Sequence, residues 1–200
     1  MVGLHWVLAS GNVGKAQEFS ALLAGSGLRG LRLTAQSDLG VSATDEPFKT
    51  FIENGLRKAR HAAEQTGLPA LADDSGLVVS ALGGRPGVES ARFLKAHGCQ
   101  GLLDALGGAT DRSAHFVCCL VFVRHAQDPD PLLAVGRWHG QIAQSLCGEQ
   151  GFGYDPLFLD PELGQTAAQM SADQKNARSH RGRAFAALIA QGRDLGLWSS

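Results

Sequence analysis

Three kinds of side chain recur in patterns that can carry chemistry: paired acids, cations beside glycine-rich turns, and a basic run near the C-terminal end. Asp73 and Asp74 follow the short apolar stretch Ala70-Leu71-Ala72 and precede Ser75-Gly76. The carboxyl end of a strand is where α/β proteins tend to place ligands. Neighbouring side chains on extended backbone face opposite ways, so at most one of the two acids enters a site and the other supports the loop. Asp74, set between an apolar stretch and a Ser-Gly turn, is the better candidate. Asp45-Glu46, in a loop ahead of a capped helix, offers a second carboxylate, although taken alone that pair reads as a solvated acidic loop. Two carboxylates with open coordination positions suit Mg²⁺, which binds through a few carboxylates plus phosphate and water.

The cations point to phosphate. Ser10-Gly11-Asn12-Val13-Gly14-Lys15 joins a strand to a helix. A glycine-rich turn at a helix N-terminus presents unpaired backbone N–H groups, and Lys15 adds a positive charge. A Walker A loop would need Gly where Ala9 stands and Ser or Thr where Ala16 stands. The loop serves equally well as an ordinary tight connection. Asn54, Lys58 and His61 share one stripe of a helix whose other face carries Ile52, Leu56, Ala59 and Ala63, and such a stripe reads by default as solvated. Lys175, Arg178, His180, Arg181 and Arg183 crowd one segment with no acid among them. With Ser179 as a cap, His180 and Arg181 fall in the first turn of the last helix, where the helix dipole opposes cations. That placement suggests an anionic partner, whereas Arg178 and Arg183 also read as an exposed basic face.

The elements that must position these groups follow from periodicity. His5–Ala9 reads as a buried strand, Lys15–Ala24 as a helix and Leu31–Ala35 as a second strand. Thr50 and Glu53 form a capping box opening a helix to about Gln65, which Gly67-Leu68-Pro69 stops. Leu77–Leu82 is strand-like, Gly83–Gly87 a loop, and Gly101–Leu106 a helix. His115–Arg124 and Leu132–Ile142 read as strands joined by Gln127–Pro131, and Gly151–Pro156 as another glycine-punctuated loop. A second capping box, Ser171 to Gln174, leads into a helical C-terminal stretch around Ala184–Ile189. Early alternation of strands and helices, with strands clustered centrally, predicts an α/β fold around a mixed sheet.

Composition narrows the function classes. The chain has 200 residues, 44% of them hydrophobic and 18% charged, with a net charge of −1. It can bury a core as one domain, with room for two lobes, and it lacks the low hydrophobicity and high net charge of disorder. Near-neutrality argues against non-specific nucleic-acid binding. Cys99, Cys118, Cys119 and Cys147 include no CxxC pair; adjacent Cys118 and Cys119 should face opposite ways on a strand, and small buried hydrophobes in a reducing compartment is the favoured reading. No basic residue precedes Lys15, unlike a signal peptide, and the longest apolar run, Phe116–Val123, is short of the ~20 residues of a membrane helix. A cytoplasmic protein is expected.

Six ordered segments together resemble the inosine triphosphate pyrophosphatase family, most closely its bacterial dITP/XTP pyrophosphatases: Leu8–Lys15, Thr50–Asn54, Ala72–Leu77, Gly83–Gly87, Gly151–Pro156 and Ser179–Arg181. Ser10 stands where the family often has Thr, and Asp45-Glu46-Pro47 lies in a variable region. The resemblance implies an elongated α/β structure: a long mixed sheet flanked by helices, two lobes with a central substrate cleft, and a homodimer. It implies that Ser10, Gly11, Asn12, Val13, Gly14 and Lys15 contact a nucleoside triphosphate and that Lys15 and Lys58 neutralise its phosphates. Asp74, with Glu46 or Asp45, would serve Mg²⁺, and Asp74 would accept the proton of the attacking water. Ser75 would contact substrate, and Phe152, Gly153, Tyr154, Asp155, Lys175, His180 and Arg181 would form the base pocket. The implied reaction converts ITP, dITP and XTP to monophosphate and pyrophosphate. Rival classes are a nucleotide sensor without turnover, an RNA-binding protein using the basic segment, and a pyrophosphatase for modified pyrimidines.

Overall fold

Trp6, Val7 and Leu8 form a run without polar side chains, the pattern of a parallel strand buried on both faces. In the computed structural model, which describes residues 4–28 and 30–198, they lie in β1 (His5–Leu8), parallel to β2 (Arg32–Ala35) and β3 (Ala70–Val79). With β4 (Ser113–Val123), β5 (Leu132–Ile142), β6 (Phe158–Asp160) and β7 (Gln165–Thr166), they make one mixed sheet of order β2-β1-β3-β4-β5-β6-β7. β6 pairs antiparallel with both β5 and β7. The α-helices are α1 (Val13–Gly25), α2 (Phe51–Thr66), α3 (Ser90–Leu106), α4 (Ala172–Arg178) and α5 (His180–Asp194). The α/β class with a mixed sheet is the one expected.

Local signals account for the boundaries. Asn12 Oδ1 accepts from the Lys15 amide at 3.0 Å and caps α1. Thr50 caps α2 by accepting from the Glu53 amide, the one half of the expected capping box that forms, while the Glu53 carboxylate accepts from the Thr50 hydroxyl; Gly67 ends the helix in the left-handed region at φ 67°. Ser171 and Gln174 form the second box, at α4. Two expectations are corrected. Asp73-Asp74-Ser75-Gly76 is no turn but the middle of the continuous β3, a strand of the sheet in which tertiary context overrides local propensity. The helix expected at Gly101–Leu106 is the second stretch of α3, which starts at Ser90 and breaks at Gly98, where φ is 64°.

Two compact units divide the chain. The first holds the residues up to Asp74, Cys118–Gly136 and those from Gly182 onward; the second holds Ser75–Val117 and Arg137–Arg181. In the first unit, alternation along the strands sorts side chains into two cores. Trp6, Leu8, Leu71, Cys118 and Leu120 pack with Phe19 of α1 and Leu188 of α5. Val7, Ala70, Ala72, Cys119 and Val121 pack with Ala59, Ala62 and Ala63 of α2. Cys118 and Cys119 therefore face opposite ways, as their adjacency predicts. Trp6 lies 4.6 Å from Phe122 and 4.9 Å from Trp198, ring centre to ring centre. In the second unit Leu77, Leu102, Phe116, Trp138, Leu157, Phe158 and Met170 form the core. Each such buried large side chain contributes on the order of 1.5–3 kcal/mol.

The stripe on α2 is also corrected. Asn54 is completely buried and clasps Phe48, accepting from its amide at 3.0 Å and donating to its carbonyl at 3.2 Å, while Ile52, expected on the apolar face, is exposed. The face turned inward is set by Gly55, Ala59 and Ala62, small residues that let the helix lie close on β4. At Gly55 an added Cβ would meet Val121 Cγ2 at 2.9 Å.

Candidate active site

The alternation of β3 delivers its two acids to different helices. Asp73 follows Leu71 toward α1, and its Oδ1 accepts from Lys15 Nζ at 2.5 Å. Asp74 follows Ala70 and Ala72 toward α2, and its Oδ1 accepts from Lys58 Nζ at 2.6 Å. The same ammonium donates to Glu46 Oε1 at 2.9 Å and to the Asp73 carbonyl at 2.8 Å. Lys15, Lys58, Asp73, Asp74 and Glu46 thus form one cluster in the first unit. Asp45 is not part of it: its carboxylate pairs with Arg57 on the surface. Cys118 Sγ donates to Asp73 Oδ2 at 3.3 Å, a contact that adjacency of two cysteines gave no reason to expect.

Burial would draw the Lys58 ammonium down, but the Asp74 and Glu46 carboxylates outweigh it and hold its pKa above the ordinary lysine value. Burial pushes the Asp74 carboxyl above the usual range, against the pull of Lys58. Its second oxygen, Oδ2, is buried without a hydrogen-bond partner among the described residues. A buried carboxylate oxygen with an unused lone pair can accept a proton, and the Asp74 and Glu46 carboxylates that share the Lys58 ammonium are the donors a hard dication takes. No group of three or more His, Cys, Asp or Glu among the described residues is arranged to hold a metal. The Asp74 and Glu46 carboxylates are donors that suit Mg²⁺, which takes water and phosphate as further ligands.

The loop Ser10–Lys15 leads directly from β1 into α1. Gly11, Asn12 and Val13 are exposed, Ser10 and Gly14 partly so, and Ser10 Oγ accepts from the Asn12 amide at 3.2 Å. The first turn of α1 contains no acid to offset its positive dipole end.

A second cluster lies wholly within the second unit. Lys175 Nζ donates to Asp155 Oδ2 at 2.6 Å, both side chains being buried, and the same oxygen accepts from the Phe152 amide at 2.7 Å. Lys175 Nζ stands 4.9 Å and Arg181 Cζ 5.9 Å from the centre of the Phe152 ring. Arg181 Nη2 donates to Ser75 Oγ at 3.0 Å. His180 stacks on Phe116 at 4.7 Å with 14° between the rings. Gly151, at φ 73°, has Asp155 Oδ2 where a Cβ would stand, 2.1 Å away, so the loop requires glycine there. Gly153 accepts at its carbonyl from Cys99 Sγ at 3.3 Å. Tyr154 is a core residue whose hydroxyl donates to the Ser90 carbonyl.

The basic segment is anchored rather than solvated. Arg178, read equally as an exposed basic residue, donates from Nε to Asp160 Oδ2 at 2.7 Å and also pairs with Glu162. Asp160 accepts in addition from Trp138 Nε1 at 2.9 Å and from the Glu162 and Leu163 amides; although burial works against its charge, these donors hold its carboxyl below the usual range. α5 begins at His180, which puts His180 and Arg181 in its first turn, and both are buried. Arg183 is exposed. Of the residues missed by sequence, Cys118, Asp160 and Gly55 had no motif around them; only an unusual buried polar or a close helix approach, visible in three dimensions, marks them.

Residues 6–191 match the Ham1 family. The chain is 51% identical over 191 residues to the dITP/XTP pyrophosphatase of Ralstonia nicotianae, covering 92% of this chain and 94% of that protein. It is 53% identical over 190 residues to the dITP/XTP pyrophosphatase of Aromatoleum aromaticum, with 92% and 94% covered. Among solved structures, a HAM1 protein from Coxiella burnetii superposes with a TM-score of 0.86 at 43% identity, covering 96% of this chain and 99% of that one.

Proposed function

This chain belongs to the Ham1 family, and from that premise we propose that it hydrolyses the non-standard purine nucleotides ITP, dITP and XTP to the monophosphate and pyrophosphate, keeping them out of DNA and RNA. The inosine triphosphate pyrophosphatase resemblance read from the six segments agrees with that membership. The observation that carries the reading is the buried Asp74, whose Oδ1 is held by Lys58 and whose Oδ2 is unpartnered, in one cluster with Lys15.

Asp74 and Glu46 would hold Mg²⁺, which when bound would supply charge neutralisation and Lewis acidity at the phosphates. Lys15 and Lys58 stabilise the charge that builds on the leaving pyrophosphate. Asp74 Oδ2 takes the proton of the attacking water, and a carboxyl raised by burial is a better base near neutral pH than an ordinary one. Base choice falls to the second cluster. Hypoxanthine and xanthine carry a 6-oxo acceptor that Arg181 or His180 can satisfy, whereas the 6-amino group of adenine would leave a buried donor facing a donor. Phe152 offers a ring face for the purine. The homodimer and the cytoplasmic location are part of the same proposal. No helix among the described residues is long and apolar enough to cross a membrane, and none of the four cysteines is in a disulfide.

The test is pyrophosphate release by the purified protein with Mg²⁺ from ITP, XTP, dITP, dUTP, GTP and ATP, with sizing of the same sample. Preference for the first three is expected. No release from ITP, or equal rates on ATP, would overturn the reading; preference for dUTP would favour the pyrimidine class.

A further inference from the structure

The Lys58 ammonium is surrounded by three oxygens: Asp74 Oδ1 at 2.6 Å, the Asp73 carbonyl at 2.8 Å and Glu46 Oε1 at 2.9 Å. Carboxylate and carbonyl oxygens are the donors a hard divalent cation takes. Two of the three belong to the carboxylates assigned above to Mg²⁺. Lysine carries its charge on a flexible four-carbon stem, so its head can leave one partner for another without movement of α2. The cluster of Lys15, Lys58, Asp73, Asp74 and Glu46 sums to one negative charge, too little to hold a dication beside a resident ammonium.

We propose that Lys58 is an internal competitor for the metal: its ammonium holds Asp74 and Glu46 together in the nucleotide-free protein, and a divalent cation binds by displacing it toward the phosphates. This rests on the reading of Asp74 and Glu46 as the metal carboxylates. Like-charge repulsion between the two carboxylates is thereby suppressed until metal arrives. A triphosphate gives the displaced ammonium a new partner, so metal and nucleotide favour each other's binding. The metal-free, nucleotide-free protein is accordingly held in a charge-balanced resting form.

Mn²⁺ uptake by the nucleotide-free protein, followed by electron paramagnetic resonance of the free ion, tests this without turnover. K58M and K58Q should bind Mn²⁺ about tenfold or more tightly than the wild type, since a cation at the ligand oxygens is removed. R60M removes the same unit charge from the same helix at a side chain directed to the Asp128 carbonyl, and should change affinity by less than about threefold. Neither Lys58 variant binding more tightly than wild type, or R60M matching them, overturns the proposal. D74N binding Mn²⁺ as tightly as wild type overturns the underlying assignment of Asp74 instead, whatever Lys58 does. A measurement on the unmodified protein covers variants that fail to fold: acylation of Lys58, read by mass spectrometry, should rise when Mn²⁺ is added. Unchanged labelling at saturating Mn²⁺ overturns displacement.

Discussion

Asp74→Asn separates a catalytic carboxylate from a structural one, because the two roles predict different changes in stability. The buried carboxyl of Asp74 titrates above its ordinary value of 3.8, with the attraction of Lys58 already included in that balance. The fold therefore binds this proton more tightly than the unfolded chain does. The group adds stability that is fully present below pH 3.8 and is lost as pH rises through the raised value, so at neutral pH the charged form is a burden on the fold. A buried carboxylate oxygen without a partner, as Oδ2 is, costs about 1–3 kcal/mol. An amide of the same shape removes the buried charge, but its Nδ2 takes the place of Oδ2 as a buried group without a partner, and its Oδ1 accepts from Lys58 with about 1 kcal/mol less charge assistance. The net is within about 1 kcal/mol of zero, or a Tm within about 4 °C of wild type in a chain of this size. Turnover of ITP should fall by about 10²–10⁴. Calorimetry in metal-free buffer and pyrophosphate release from ITP read the two effects on one preparation. Turnover within about tenfold of wild type, or a Tm lower by more than about 4 °C, would show that Asp74 serves the fold and that another group takes the proton.

Lys175→Met leaves the buried Asp155 carboxylate without its ammonium and should cost about 3–5 kcal/mol, seen as a lower urea midpoint, together with a higher KM for ITP. Gly55→Ala places a methyl 2.9 Å from Val121 Cγ2, which should destabilise by about 1–3 kcal/mol and lower kcat by shifting Lys58 against Asp74. Val121→Ala in the same chain should restore part of both in thermal and kinetic assays. Arg181→Ala should reduce the ratio of kcat/KM for ITP over ATP by about 10–100-fold, the worth of one mismatched buried hydrogen bond; equal weakening toward both nucleotides would make Arg181 a phosphate ligand.

What could be read from the sequence depended on how local its cause was. The caps at Thr50 and Ser171 are settled within four residues, and both helices start where those residues place them. The alternation at Asp73-Asp74 was legible as a rule, but its effect was not. A single acid was expected in the site with a supporting neighbour; in fact each acid is buried and each holds a lysine from a different helix. Ser75-Gly76 looks like a turn to its neighbours in sequence, yet it is extended inside the ten-residue β3. Asn54 and Lys58 were read as solvated because polarity on a helix usually means water. The burial of Asn54 and the partial burial of Lys58 follow from their partners, Phe48 and the three oxygens around Lys58, which lie elsewhere in the chain. Arg178 was ambiguous for the same reason, since Asp160 is remote in sequence from it.

The placement of the tryptophans makes the protein self-reporting. Trp6 and Trp198 share an aromatic cluster in the first compact unit, and Trp138 sits alone in the second with its indole nitrogen on Asp160. Trp138→Phe would leave an emission that follows the unit carrying Lys15, Lys58 and Asp74, and a chain keeping only Trp138 would follow the unit carrying Lys175 and Arg181. Intrinsic fluorescence can thus time the melting of the two units separately, without any label attached.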